Sequence, residues 1–183
     1  MHEHAFSKAR AAYERDHVLG GVRGVLLAAG LAALAFTLHT RTTGAVAMAA
    51  VLAATLGALG WRGGAWRRGA FAGVLAGVPP MIVPIAVAAL SHSGHCTACG
   101  AGPSWVCTIA CFGTSGIVGT LVGASATTDR APHSFAIAAT ATAAVTGLLG
   151  CAAMGFGGAL GVVAGLVAGG VTGWFAAPRA EAS

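Results

Sequence analysis

The sequence predicts an all-α fold, a polytopic membrane bundle of about six transmembrane helices, on three observations. Hydrophobic residues make up 56% and charged residues only 8%, with a mean hydropathy of +0.80. A soluble domain carries about 25% charged residues to cover its surface. Formal charges are absent from 24–40, 42–61, 69–128 and 131–178, and one spanning helix needs about 20 mostly apolar residues. The first two stretches hold one helix each and the last two hold two each. Nine of the ten basic residues, finally, fall at the termini and on alternate connections.

Spans are expected at 22–38, 44–60, 69–90, 104–126, 134–153 and 157–177. Residues 1–20 carry most of the polar density, and Phe6, Ala9, Ala12, Tyr13 and Val18 share one weak helical stripe. This lead reads as a short cytoplasmic or interfacial helix, either a polar approach to the first span or a docking helix for a cytoplasmic partner. The first span reads as an uncleaved anchor, because the lead is long for a signal peptide and a second apolar segment follows at once. Spans two and five are built largely from Ala, Gly and Thr, which insert less favourably than Leu, Ile, Phe or Val and so need neighbouring helices.

In span three, Pro79, Pro80 and Pro84 remove backbone donors opposite the carbonyls of Leu75, Ala76 and Pro80, which predicts a kink. Glycines recur every fourth residue at Gly157, Gly161, Gly165, Gly169 and Gly173, at Gly69, Gly73 and Gly77, and at Gly119 and Gly123. Such stripes let backbones approach closely in lipid, within one chain or in a homodimer. With six helices to pack, the first use is expected. Segments 116–126 and 161–171 also look alike, hinting at a duplicated helix pair.

Orientation follows from the ten basic residues. With the N-terminus inside, Lys8, Arg10, Arg15, Arg23, Arg62, Arg67, Arg68, Arg130 and Arg179 face the cytoplasm and only Arg41 lies outside, a strong positive-inside bias. Membrane domain 21–178 would thus sit in a bacterial-type inner (plasma) membrane, with both termini, including tail 179–183, in the cytoplasm. The net charge of +5 is accounted for by topology and anionic membrane lipid, without nucleic acid.

This orientation puts loop 91–103 on the outer, oxidising side. It carries His92, His95, Cys96 and Cys99, and Cys107 and Cys111 follow in span four. The pattern His92-x-x-x-Cys96-x-x-Cys99 suits three ligands of a tetrahedral site. Cys107 and Cys111, four apart, share a helical face with Ser115, Gly119 and Gly123. Soft thiolates and imidazoles favour zinc or copper; the same thiols could instead form or exchange disulfides, or be small buried hydrophobes. Cys151 stands apart near the outer end of span five. A c-type haem is excluded, because position 100 is Gly rather than His.

Ser104-Trp105-Val106-Cys107 at the head of span four, Cys151 near the outer end of span five, six spans and a short cytoplasmic lead resemble the six-helix membrane anti-sigma factors of bacteria. That resemblance implies a regulator that holds a sigma factor at the inner face and answers to stress, in some members heavy metal, through outer-side cysteines. Cys107 and Cys151 would then be the sensing thiols and residues 1–20 the partner contact.

No His-Glu-x-x-His, Walker or Gly-x-Ser-x-Gly motif occurs, and the only acids are Glu3, Glu14, Asp16, Asp129 and Glu181. Hydrolase and phosphoryl-transfer chemistry are disfavoured. A proton-coupled transporter is also disfavoured, since no ionised side chain lies within a span after Arg23. The expectation is a non-enzymatic membrane protein whose outer thiol/imidazole cluster senses or binds a soft metal or a redox state. A membrane thiol oxidoreductase, a soft-metal transporter and a structural membrane protein are the alternatives.

Overall fold

Six α-helices and no strand occur among the described residues, which in this computed structural model are 2–38, 43–90, 105–151 and 156–177. In chain order they are α1 (His2–Leu38), α2 (Thr43–Arg62), α3 (Gly64–Leu90), α4 (Trp105–Ala126), α5 (Pro132–Cys151) and α6 (Phe156–Ala176). Among the described residues, five segments are long and apolar enough to cross a membrane: Ala12–Leu34, Gly44–Arg62, Thr108–Ala126, Pro132–Gly150 and Gly158–Ala176. α3, which opens with Arg67 and Arg68 and carries the three prolines, is not among them. Among the described residues there are thus six helices, of which five qualify as spans.

α1 runs without a break from the polar lead into the apolar segment. Before Gly20 the lead contains neither Gly nor Pro, and its Ala, Lys, Arg and Glu residues are good helix formers. Between α2 and α3 the chain turns on Gly63 and Gly64, whose φ angles of 69° and 54° lie in the left-handed region that favours glycine. At the next turn Asp129 Oδ1 accepts the Ala131 N–H at 3.0 Å. Pro132 then takes the first position of α5, where a missing N–H costs nothing.

Burial is inverted relative to a soluble protein. Leu75, Ile117 and Leu121 are 74%, 68% and 65% exposed, whereas Ala138, Ala139, Ala143 and Ser115 are fully buried. Large aliphatic side chains outside and small ones inside make sense when the surroundings are as apolar as leucine and association depends on close backbone packing.

Glycine sets which helices pair. A β-carbon at Gly161 would lie 2.8 Å from the Thr108 oxygen, at Gly165 2.9 Å from Ser115 Cβ, at Gly169 2.9 Å from Thr120 N, and at Gly173 2.8 Å from Thr120 C. The contacts advance together along both chains, so α4 and α6 are parallel and the stripe of α6 is filled by α4. Likewise α3 runs parallel to α5. β-Carbons at Gly69, Gly73 and Gly77 would lie 2.5 Å from the Phe135 oxygen, 2.9 Å from Ala139 C and 2.9 Å from the Ala143 oxygen. α1 and α2 are antiparallel, with Gly20 and Gly60 meeting reciprocally: each β-carbon would fall 2.7 or 2.6 Å from the other's carbonyl oxygen.

Candidate functional site

The helix starting at Trp105 carries the thiols that sequence spacing singles out. Cys111 is fully buried in the seam between α4 and α6, because Gly161 opposite it has no side chain: a β-carbon there would lie 3.2 Å from Cys111 Cβ. Cys111, Ser115, Gly119 and Gly123 form the face turned to α6, the four-residue periodicity expected of them. At 1.5 Å per residue Cys111 lies about 9 Å from the start of α4. One turn nearer that start is Cys107, whose side chain lies outside the described residues, as does that of Cys151, the last residue of α5. His92, His95, Cys96 and Cys99 lie outside the described residues altogether.

One polar group lies a turn beyond the buried thiol on α4, and another lies in the α3–α5 seam. Ser115 Oγ and Thr146 Oγ1 are buried and have no hydrogen-bond partner, while Thr142 Oγ1 donates to the Ala138 carbonyl at 2.6 Å within its own helix. Thr146 faces α3, where a β-carbon at Gly77 would meet Thr146 Cγ2 at 3.0 Å. Among the described residues, no three His, Cys, Asp or Glu side chains converge as a metal site would require.

No family model, curated protein or solved structure matches the chain.

A second constellation, at the opposite end of the bundle, is one that sequence reasoning missed. Arg67 donates to Asp16 at 2.9 Å, tying α3 to α1. Arg68 grips Asp129 with two bonds of 3.1 and 3.0 Å, tying α3 to the turn between α4 and α5. The hydrogen bond from Arg68, aided by the Ala131 N–H, holds the Asp129 carboxyl below the usual carboxylate range, and the same bond raises Arg68.

Aromatic and imidazole groups complete that end. His17 Nδ1–H donates to the Trp61 carbonyl, giving one of the open carbonyls at the α2 C-terminus a partner from α1. Tyr13 lies 4.2 Å from the His17 ring, and His133 stacks on Trp174 at 5.3 Å and 25°. The only signal in the sequence was scarcity: with five acids in the whole chain, each had many potential basic partners.

Proposed function

We infer that the chain is a six-span regulatory membrane protein. In this reading both termini are cytoplasmic, and an outer cluster of Cys96, Cys99, Cys107, Cys111, His92 and His95 senses or binds zinc, copper or a redox state. α3 would supply the sixth span, being flanked along three turns by α5. The observation that carries the reading is the two-ended character of α3. At one end Arg67 and Arg68 hold α1 and the α4–α5 turn. At the other, the chain enters the stretch that contains His92, His95, Cys96 and Cys99.

Chemistry at the outer thiols would thus be connected by one helix to α1. Because Tyr13, Glu14 and His17 of α1 line one cleft with Trp61 and Arg62 at the end of α2, residues 2–12 reach past α2 by roughly 16 Å. That projecting, polar helix suits a cytoplasmic regulatory partner, in the manner of membrane anti-sigma factors.

The test is elemental analysis of the full chain purified in detergent, with a thiol count before and after reductant and chelator. Bound zinc or copper should fall in the Cys96→Ser/Cys99→Ser variant. Unchanged metal stoichiometry would refute metal binding. A thiol count that rises only after reduction would instead establish the redox form of the same site.

A further inference from the structure

Beside the Gly20–Gly60 crossing, α1 and α2 leave an open groove walled by Val18, Val22, Val25 and Leu26 on α1 and by Gly57 and Trp61 on α2, with a volume of about 410 Å³. At the polar end it meets a second cleft of about 520 Å³ that shares Val18 and Trp61 and adds Tyr13, Glu14, His17 and Arg62. Both volumes fall within the range of ligand pockets. The first part is wholly apolar apart from the indole N–H; the second adds the polar side chains of Tyr13, Glu14, His17 and Arg62. Leu26 and Trp61 remain 65% and 57% exposed, so nothing within the described chain closes the slot.

Charge balance at the mouth decides what fits. Glu14 is already neutralised by Arg10 at 2.9 Å. Arg62 has no carboxylate partner among the described residues and lies with its guanidinium carbon 5.0 Å from the centre of the Trp66 ring. Arg15 falls on the same helical face as Val18, Val22 and Leu26, at spacings of three, seven and eleven residues. Arg62 thus leaves a cation in surplus at the mouth of an apolar slot, with Arg15 on the adjoining helical face and Tyr13 and Trp61 at the level where amphipathic rings favour a membrane–water boundary.

The geometry points to a site for one anionic phospholipid, its phosphate held at Arg62 and Arg15 and one acyl chain lying between α1 and α2. From Val18 to Leu26 the slot runs about 12 Å along α1, long enough to hold much of one chain. A second copy of this protein fits less well: two copies inserted the same way would set their Arg62 side chains at the same depth on either side of a two-fold contact on this face, adding like charge to like. A cytoplasmic protein could cover the mouth but not the slot that continues between the membrane segments. The site is independent of the thiol chemistry proposed above.

Native mass spectrometry of the full chain in detergent, titrated with dioleoylphosphatidylglycerol and dioleoylphosphatidylcholine, tests the assignment. Phosphatidylglycerol should be retained in preference. Arg62→Gln and Arg15→Gln should each reduce that preference about fivefold, as one interfacial basic residue is expected to do. Arg130→Gln, on the far α4–α5 turn, should leave it unchanged. Gly21→Leu should block both lipids: a β-carbon there meets nothing nearer than the Gly57 oxygen at 3.6 Å and Trp61 Cε3 at 3.9 Å, and Gly21 itself lines the slot that the longer side chain would occupy.

An unaltered preference in the Arg15/Arg62 double variant would overturn the site. So would equal competition by glycerol 3-phosphate, which lacks the acyl chain. Loss of a dimer in Gly21→Leu without any change in lipid retention would assign the groove to a second copy instead.

Discussion

Replacing Gly169 by Ala should loosen the bundle, while the same change one residue later should not. At Gly169 the added methyl would overlap the Gly116 carbonyl oxygen and lie 2.8 Å from its carbon and 2.9 Å from Thr120 N. All three atoms are backbone, so no rotamer change relieves the clash and α4 and α6 must separate along the seam that also buries Cys111. Overpacking of this kind costs about 1–3 kcal/mol, equivalent to a fall in thermal midpoint of about 2–12 °C for a chain of this length. At Gly170 a β-carbon meets only the Gly119 oxygen, at 3.9 Å. Gly170→Ala should therefore be neutral, or stabilising by up to about 1 kcal/mol from helix propensity. Thermal unfolding of both variants in one detergent, followed by circular dichroism, makes the comparison. Equal midpoints for the two would refute the parallel α4–α6 packing.

The Arg68–Asp129 pair makes stability depend on pH in a defined direction. Because the folded Asp129 carboxyl titrates below its ordinary range, its contribution is complete above about pH 4 and is lost as the pH falls through the lowered folded value. Asp129→Asn should thus unfold earlier than the parent at pH 7 and converge with it in strong acid, as read by midpoints across a pH series. His17→Ala leaves the Trp61 carbonyl without its partner and should cost about 1 kcal/mol, with faster hydrogen exchange confined to the last turn of α2 and the facing part of α1. With Cys96, Cys99, Cys107 and Cys151 all replaced by Ser, Cys111 should resist maleimide until the bundle is denatured, since its side chain is fully buried. Ready labelling of the folded chain would contradict its place in the α4–α6 seam.

Helix positions were largely legible because charge and apolar length determine them. The expected spans 44–60, 104–126 and 157–177 each start or end within a few residues of α2, α4 and α6. The lead, 1–20, was legible as helical but not as continuous with the span expected from 22. Only the approach of Gly60 gives Gly20 its use inside a helix. Glycine stripes announced close packing, and the like segments 116–126 and 161–171 fall on α4 and α6. Which stripe meets which helix was not legible, because faces of Ala, Gly and Val offer nearly equivalent surfaces and the choice depends on backbone fit. At the candidate site, the Cys111–Ser115–Gly119 face could be read from spacing. The ties of Asp16 to Arg67 and of Asp129 to Arg68 join residues 51 and 61 positions apart, a separation over which charge patterning carries no pairing information.

Pairing α3 with α5 and α4 with α6 has a consequence for biogenesis. The α1–α2 hairpin can zip as soon as both its strokes have left the ribosome. α3 and α4, by contrast, arrive with their grooves facing lipid and must wait for partners translated later. Ribosomes stalled between α4 and α5 would therefore leave a half-built protein with two vacant seams, a ready substrate for membrane quality-control proteases, and completion of the last helix becomes the step that commits the whole assembly.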